Sequence, residues 1–170
     1  MTQPEVWLRG PLPDVPPLLQ PVAHSLLQCR EEVHAVLRDL TPEQLWARPG
    51  GAASVGYHAR HAAGSLDRLL TYARGEQLSA AQLEALRDEG NADPESGAAA
   101  RVVDAFDAAV ERALMQLRAT SQQALLEPRE VGRAKLLSTV IGLLFHAAEH
   151  TQRHSGQLTT TAKIVRGLGV

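Results

Sequence analysis

The sequence contains 170 residues, enough for one folded domain, and its 17 Lys and Arg nearly balance its 19 Asp and Glu. The balanced charge argues against a nucleic-acid-binding protein, and aromatic residues, at 4%, are too few to stack on exposed bases. The single cysteine, Cys29, cannot close an internal disulfide, and the longest nearly uncharged stretch, residues 138–148, is too short to span a bilayer. We therefore expect a cytoplasmic protein with neither nucleic-acid nor membrane partners.

The N-terminal part of the chain divides into an arm and a helix. Five prolines within residues 1–17 remove backbone donors and disfavour helix, which predicts an extended arm followed by a single domain over residues 18–170. Apolar residues at helical spacing then predict the first long helix over residues 18–40. A short helical turn is expected after Thr41 and Pro42, because this pair is typical of a helix start.

The second long helix has clear signals at both ends. Ser54 can cap its first turn, and Gly75 is typical of a helix end, which predicts a helix up to about residue 74. Ser79 and Gln82 fit a capping box, so a short extra helix is expected in the following connection, up to Gly90.

Two further long helices complete the predicted fold. Apolar spacing predicts the third over residues 98–119, and a connection over residues 120–133 follows. The last helix is expected from about residue 135 to about residue 166. Because no strand-like alternation of useful length is present, the sequence predicts an all-α protein, a four-helix bundle.

Histidine is the residue type that points to function. Five of the seven histidines lie in two short segments, His58 and His61 in the second predicted helix and His146, His150 and His154 in the last. Positions four apart on a helix differ by only about 40° in direction, so consecutive members of the last group are neighbours. Neutral imidazole binds zinc, nickel, copper and iron, and a third imidazole from a facing helix completes three protein ligands. Three ligands plus water is a catalytic pattern.

Not all five histidines are expected to bind one ion. The directions of His146 and His154 differ by about 80°, so one histidine of the last helix should lie beside the ligands or face the substrate. A solvated polar flank would explain His150 and His154 taken alone, and the second cluster on another helix is what favours a metal. His24 and His34, in the first helix, are assigned no role.

Two familiar metal-binding motifs do not match this sequence. A metalloprotease needs glutamate directly after its first histidine, but Ala147 and Thr151 follow the first two histidines of the last helix. Di-iron bundles need Glu-x-x-His on each of two helices, and the chain offers this pair only at Glu31 and His34.

Two segments resemble a known family. Residues 145–158, FHAAEHTQRHSGQL, resemble the terminal-helix signature of the DinB/YfiT-like superfamily, in which spaced histidines lead into His-Arg-Gly-Gln-Leu. Ser155 replaces the usual arginine of that signature. Residues 54–69, SVGYHARHAAGSLDRL, resemble the family's second helix, with His61 at its metal-binding histidine.

The resemblance implies a four-helix bundle in up-down-down-up order, often dimeric, that binds one divalent metal through three histidines. Carried over position by position, the metal ligands are His61, His150 and His154. His58 and His146 would stand beside the metal, and Gln157 could hold a ligand-bound water or a histidine nitrogen. Zinc or nickel is the expected metal, with manganese or iron as alternatives.

For function, the resemblance implies a metal-dependent enzyme acting on a small molecule. The two reactions that fit are thiol S-transfer with a low-molecular-weight thiol and hydrolysis by metal-bound water. Because Cys29 lies on the first helix, a thiol nucleophile is expected to arrive as a cosubstrate. The alternative is a non-catalytic metal-binding or stress-response module that forms a homodimer through apolar helix faces. No catalytic residue is identified from the sequence.

Overall fold

The structure is a computed structural model, and it describes residues 3–169. In chain order its α-helices are α1 (Gln20–Leu37), α2 (Pro42–Trp46), α3 (Val55–Ala73), α4 (Ala80–Asp88), α5 (Ala98–Ala119) and α6 (Val140–Gly167). The strands are β1 (Pro128–Val131) and β2 (Leu136–Thr139). Shorter 3-10 helices cover Val6–Leu8, Pro17–Leu19, Pro49–Gly51 and Gln122–Leu126.

The four long helices α1, α3, α5 and α6 share one core. Helix α3 packs against α5 and α6, and α1 packs against the same two helices. The buried core between them is aliphatic except for Phe106 and Cys29, and its fully buried leucines include Leu26, Leu66, Leu144 and Leu158. The prediction of four long amphipathic helices thus agrees with the observed elements, whereas their up-down-down-up order stays a prediction. None of the helices in residues 3–169 has the length and apolar character that crossing a membrane requires.

The start of α3 is fixed by a cap and a close contact. The Ser54 hydroxyl accepts a hydrogen bond from the Tyr57 backbone N–H at 3.1 Å, as its predicted capping role requires. The Trp46 ring lies so close to Gly56 that a Cβ at this position would come within 2.7 Å of it. These contacts set where α3 begins, and therefore which of its residues face α6.

The N-terminal arm lies on α1, and it is not extended throughout. Val6 and Val15 are buried, and two 3-10 turns interrupt the arm. The Gln20 side chain binds the backbone of Leu12 and Val15, while Arg9 forms an ion pair with Glu31. Because prolines fix φ without excluding tight turns, the segment follows the surface of the helices instead of running straight. The division into an arm and a domain over residues 18–170 stays a prediction.

The expectation of an all-α fold is wrong in one place. Strands β1 and β2 form an antiparallel hairpin in which Pro128 pairs with Thr139. The sequence predicts that the last helix begins near residue 135, but α6 begins at Val140. The Thr139 hydroxyl caps this start by accepting a hydrogen bond from the Gly142 N–H. Leucines at positions 136 and 137 fit either a helix or a strand, so spacing alone could not distinguish the two.

Candidate metal centre

Three histidines from two helices converge at the α3–α6 contact. One potential ligand atom from each of His61, His150 and His154 lies within 4.8 Å of the others. The Nε2 atoms of His61 and His150 are 3.1 Å apart, and the His154 ring centroid lies 4.6 Å from each of the other two. The fold therefore brings together the three residues that the sequence predicts as ligands.

Burial favours the neutral form of two of these imidazoles. It lowers the pKa of His154 to about 4, and the neighbouring His61 and His150 lower it further. Burial also lowers the pKa of His150, and His61 adds to the effect. Since a metal binds the neutral form of imidazole, these groups are ready to act as ligands at neutral pH without first losing a proton.

A buried carboxylate orients His61. The Glu89 side chain, only 6% exposed, accepts a hydrogen bond from His61 Nδ1 at 2.7 Å and another from Arg68 Nη1 at 2.7 Å. Burial alone would raise the Glu89 pKa, but the hydrogen bonds from His61 and Arg68 together hold it below its ordinary value. Because the ionised carboxylate only accepts, Nδ1 of His61 carries a proton; in the neutral ring the lone pair is then on Nε2, the atom that faces Nε2 of His150.

His58 lies behind His154. Its Nδ1 is 3.1 Å from Nδ1 of His154, it is 8% exposed, and burial lowers its pKa, with His61 adding to the shift. When Nδ1 of His154 donates this hydrogen bond to His58, Nε2 of His154 keeps its lone pair and can bind an ion. The structure therefore places His58 next to His154, while its position beside a bound metal stays a prediction.

His150 has no such partner. Its Nδ1 is buried and forms no hydrogen bond with any part of the chain that the structure describes. An unpaired buried nitrogen costs about 1–3 kcal/mol, so hydrogen bonding within the protein does not explain the position of this ring. Together with the 3.1 Å approach of its Nε2 to His61, this favours a common ligand between the two rings, and the residues present fit a metal ion.

The other two predicted neighbours of the site lie toward solvent. His146 Nδ1 bonds to Glu149 at 2.7 Å, and its ring centroid is 5.5 Å from that of His150. Gln157 is exposed, and its amide takes no part in the hydrogen bonds among residues 3–169, so its role at a bound water stays a prediction. Ser155, at the position of the family's arginine, is buried and donates to Glu32 at 2.6 Å.

The remaining histidines and the cysteine have ordinary structural contacts. His24 Nε2 bonds to the Gly10 carbonyl at 3.0 Å, and His34 Nε2 contacts the Asp107 carboxylate at 2.8 Å. Cys29 is buried, its thiol donates to Gln152 at 3.1 Å, and burial followed by the Glu32 charge raises its pKa to about 12. A thiol with this pKa is protonated and unreactive near pH 7.

Sequence reasoning missed three residues of the site. Glu89 and Arg68 orient His61, and the Tyr57 ring stacks on His61 with centroids 5.5 Å apart and planes at 11°. Arg68 lies two helical turns after His61, so the two side chains share one face of α3, and helical spacing could have indicated their contact with a common partner. Glu89 comes from the end of α4, and no local pattern marks it.

Comparison with known proteins gives the family of this chain. No curated protein is similar enough to match the chain. A family model described as the DinB superfamily matches residues 25–158, a segment that includes most of α1, the whole of α3 and the histidines of α6. The chain therefore belongs to the DinB superfamily.

Proposed function

We propose that this protein is a divalent-metal-dependent enzyme that binds its metal through His61, His150 and His154. The observation that carries the proposal is the convergence of three imidazoles on one point. In residues 3–169, no cysteine, aspartate or glutamate joins this group as a fourth ligand. Structural zinc sites are closed by four protein ligands, whereas catalytic sites keep a position open, so three ligands favour catalysis over a purely structural metal.

The chemistry follows from that open position. A bound zinc or nickel ion, with manganese or iron as alternatives, would lower the pKa of a bound water or hold a thiolate. The protein's own side chains set the geometry: Glu89 keeps the His61 proton on Nδ1, and His58 contacts Nδ1 of His154. With the His154 proton likewise on Nδ1 and donated to His58, the Nε2 atoms of both ligands are available.

A thiol nucleophile must come from outside the chain, because Cys29 is the sequence's single cysteine. Cys29 is buried with a pKa of about 12, so it does not supply a thiolate near pH 7. Two reactions remain consistent with the site: S-transfer from a low-molecular-weight thiol to an electrophilic small molecule, and hydrolysis. We also propose the up-down-down-up order for the four long helices. We further propose a homodimer, and light scattering on the purified protein tests this oligomeric state.

Metal content tests the proposal first. The untagged protein, incubated with zinc or nickel and desalted, should retain about one ion per chain by elemental analysis, and His150→Ala and His154→Ala should lose it. His24→Ala is the matched control, because His24 contacts the Gly10 carbonyl and not the histidine group. Metal that persists in both site variants, or its absence from wild type, would contradict the assignment and favour a non-catalytic helical module.

Activity then separates the two reactions. Consumption of a model electrophile with glutathione, bacillithiol or mycothiol should require added metal and should be lost in His154→Ala. If none of these thiols supports turnover in the metal-loaded protein, thiol transfer is wrong, and a panel of ester and amide substrates tests hydrolysis.

A further inference from the structure

Helix α4 is attached to the protein without a core of its own. None of its residues is buried. A cavity of about 490 Å³ lies between it and the neighbouring surfaces of α3 and α5, lined by small side chains such as Ala63 and Ala85 and by charged ones such as Asp67, Asp88 and Arg112. Apolar burial therefore contributes little to holding α4 in place, and its position depends on polar contacts.

Two sets of polar contacts join α4 to α3. Near its start, Gln82 Nε2 donates to Asp67 at 2.6 Å and to Thr71 at 2.8 Å. At its end, Glu89 binds Arg68 and His61, each at 2.7 Å. Just beyond α4, Arg60 Nη1 also donates to the Asn91 carbonyl at 2.5 Å. Of all these contacts, only those of Glu89 reach a candidate metal ligand.

We propose that Glu89 is a positioning residue that couples metal binding at His61 to the docking of residues 79–91, the α4 segment, against α3. The proposal rests on the proposed metal site. A neutral imidazole that binds an ion through Nε2 must carry its proton on Nδ1, and here that proton is donated to Glu89. A cation at Nε2 draws electron density from the ring, which makes Nδ1–H a stronger donor to the carboxylate.

The coupling acts in both directions. When the α4 segment undocks, His61 loses its acceptor, and the Arg68 guanidinium, 10% exposed, is left as a buried charge beside the ring. Both changes weaken cation binding at His61. By linkage, the factor by which docking strengthens metal binding equals the factor by which metal strengthens docking.

Hydrogen exchange and zinc affinity test the coupling together. In the full-length protein, zinc should slow amide exchange in residues 80–90. Glu89→Gln should weaken zinc binding, measured by competition with a chromophoric chelator, about 10- to 100-fold, as is typical for loss of a carboxylate behind a histidine ligand. It should also abolish the zinc-dependent protection of α4. Glu84→Gln is the matched control, because Glu84 is an exposed carboxylate on the same helix.

The outcomes separate the two proposals. If wild type binds no zinc, both the metal site and the coupling are wrong. If wild type binds zinc and Glu89→Gln binds it equally well, or keeps the protection of α4, only the coupling is wrong. Far-UV circular dichroism checks folding. Should Glu89→Gln fail to fold, Gly64→Ala serves as the second variant, since a Cβ at Gly64 would lie 2.5 Å from Glu89 Oε1.

Discussion

Gly64→Ala is a sharp test of the contacts around Glu89. Gly64 lies on α3 between His61 and Arg68, directly under the carboxylate. A Cβ added there would lie 2.5 Å from Glu89 Oε1 and 2.8 Å from Arg68 Nη1, whereas ordinary contacts begin at 3.4 Å. The carboxylate must therefore move by about 0.9 Å (3.4 − 2.5) and the guanidinium by about 0.6 Å (3.4 − 2.8). Its hydrogen bonds to His61 and Arg68 are 2.7 Å long. A shift of this size stretches at least one of them beyond the usual limit of about 3.2 Å.

The expected change in the free energy of unfolding follows from two opposing effects. Replacing glycine by alanine inside a helix stabilises a protein by about 1 kcal/mol. Losing one hydrogen bond to a charged buried group costs about 1.5–3 kcal/mol. We therefore expect Gly64→Ala to lower the free energy of unfolding by about 0.5–2 kcal/mol, although a propensity scale alone predicts an increase.

Denaturant unfolding in the presence of EDTA measures this effect without any contribution from metal. The control is Gly156→Ala, because Gly156 lies inside α6 and a Cβ there meets nothing within 4 Å. The control should gain about 1 kcal/mol from helix propensity, which places the two variants about 1.5–3 kcal/mol apart. Equal stabilisation of both variants would show that Glu89 is not held tightly over Gly64, and the predicted loss of its hydrogen bond would be wrong.

Three further predictions concern other parts of the molecule. The pKa of His154 is lowered to about 4 in the folded protein, against about 6.5 for a free histidine, so the unfolded state binds more protons between these values. Stability of the metal-free protein should therefore fall as the pH drops from 6.5 toward 4, and urea midpoints should show a shallower fall in His154→Ala. Cys29 should react with a thiol reagent such as DTNB only after unfolding, because it is buried with a pKa of about 12; rapid reaction of the native protein would contradict its placement. Gly56→Ala should destabilise the fold by about 1–3 kcal/mol, since its Cβ would come within 2.7 Å of the Trp46 ring, and an unchanged thermal midpoint would argue against that contact.

The features that the sequence predicts well are those with local signals. Ser54 and Ser79 mark the starts of α3 and α4 because their hydroxyls accept bonds from backbone N–H groups three residues later, a distance that sequence spacing shows directly. The i, i+4 pair on α6 places His150 and His154 side by side for the same reason. His61 could be paired with them only through a facing helix, and the packing of α3 against α6 supplies that contact.

The features that the sequence does not predict depend on contacts between distant segments. Glu89 reaches His61 across 28 positions of the chain, and its burial beside Arg68 depends on how α4 docks. The β1–β2 hairpin also depends on a contact between separate segments, because residues 136–139 become a strand only through pairing with β1. Pairing energy of this kind is absent from any window of helical or alternating spacing.

The three candidate ligands are held unequally, and this follows from what contacts the second nitrogen of each ring. His61 has an ionised carboxylate at Nδ1, His154 has the neutral ring of His58, and Nδ1 of His150 has no partner in the described chain. A charge-assisted hydrogen bond fixes a ring more firmly than a neutral one, so orientation is strongest at His61 and weakest at His150. Because the anionic partner of His61 belongs to the α4 segment, the most firmly oriented ligand is also the one that depends on a helix with no buried residue.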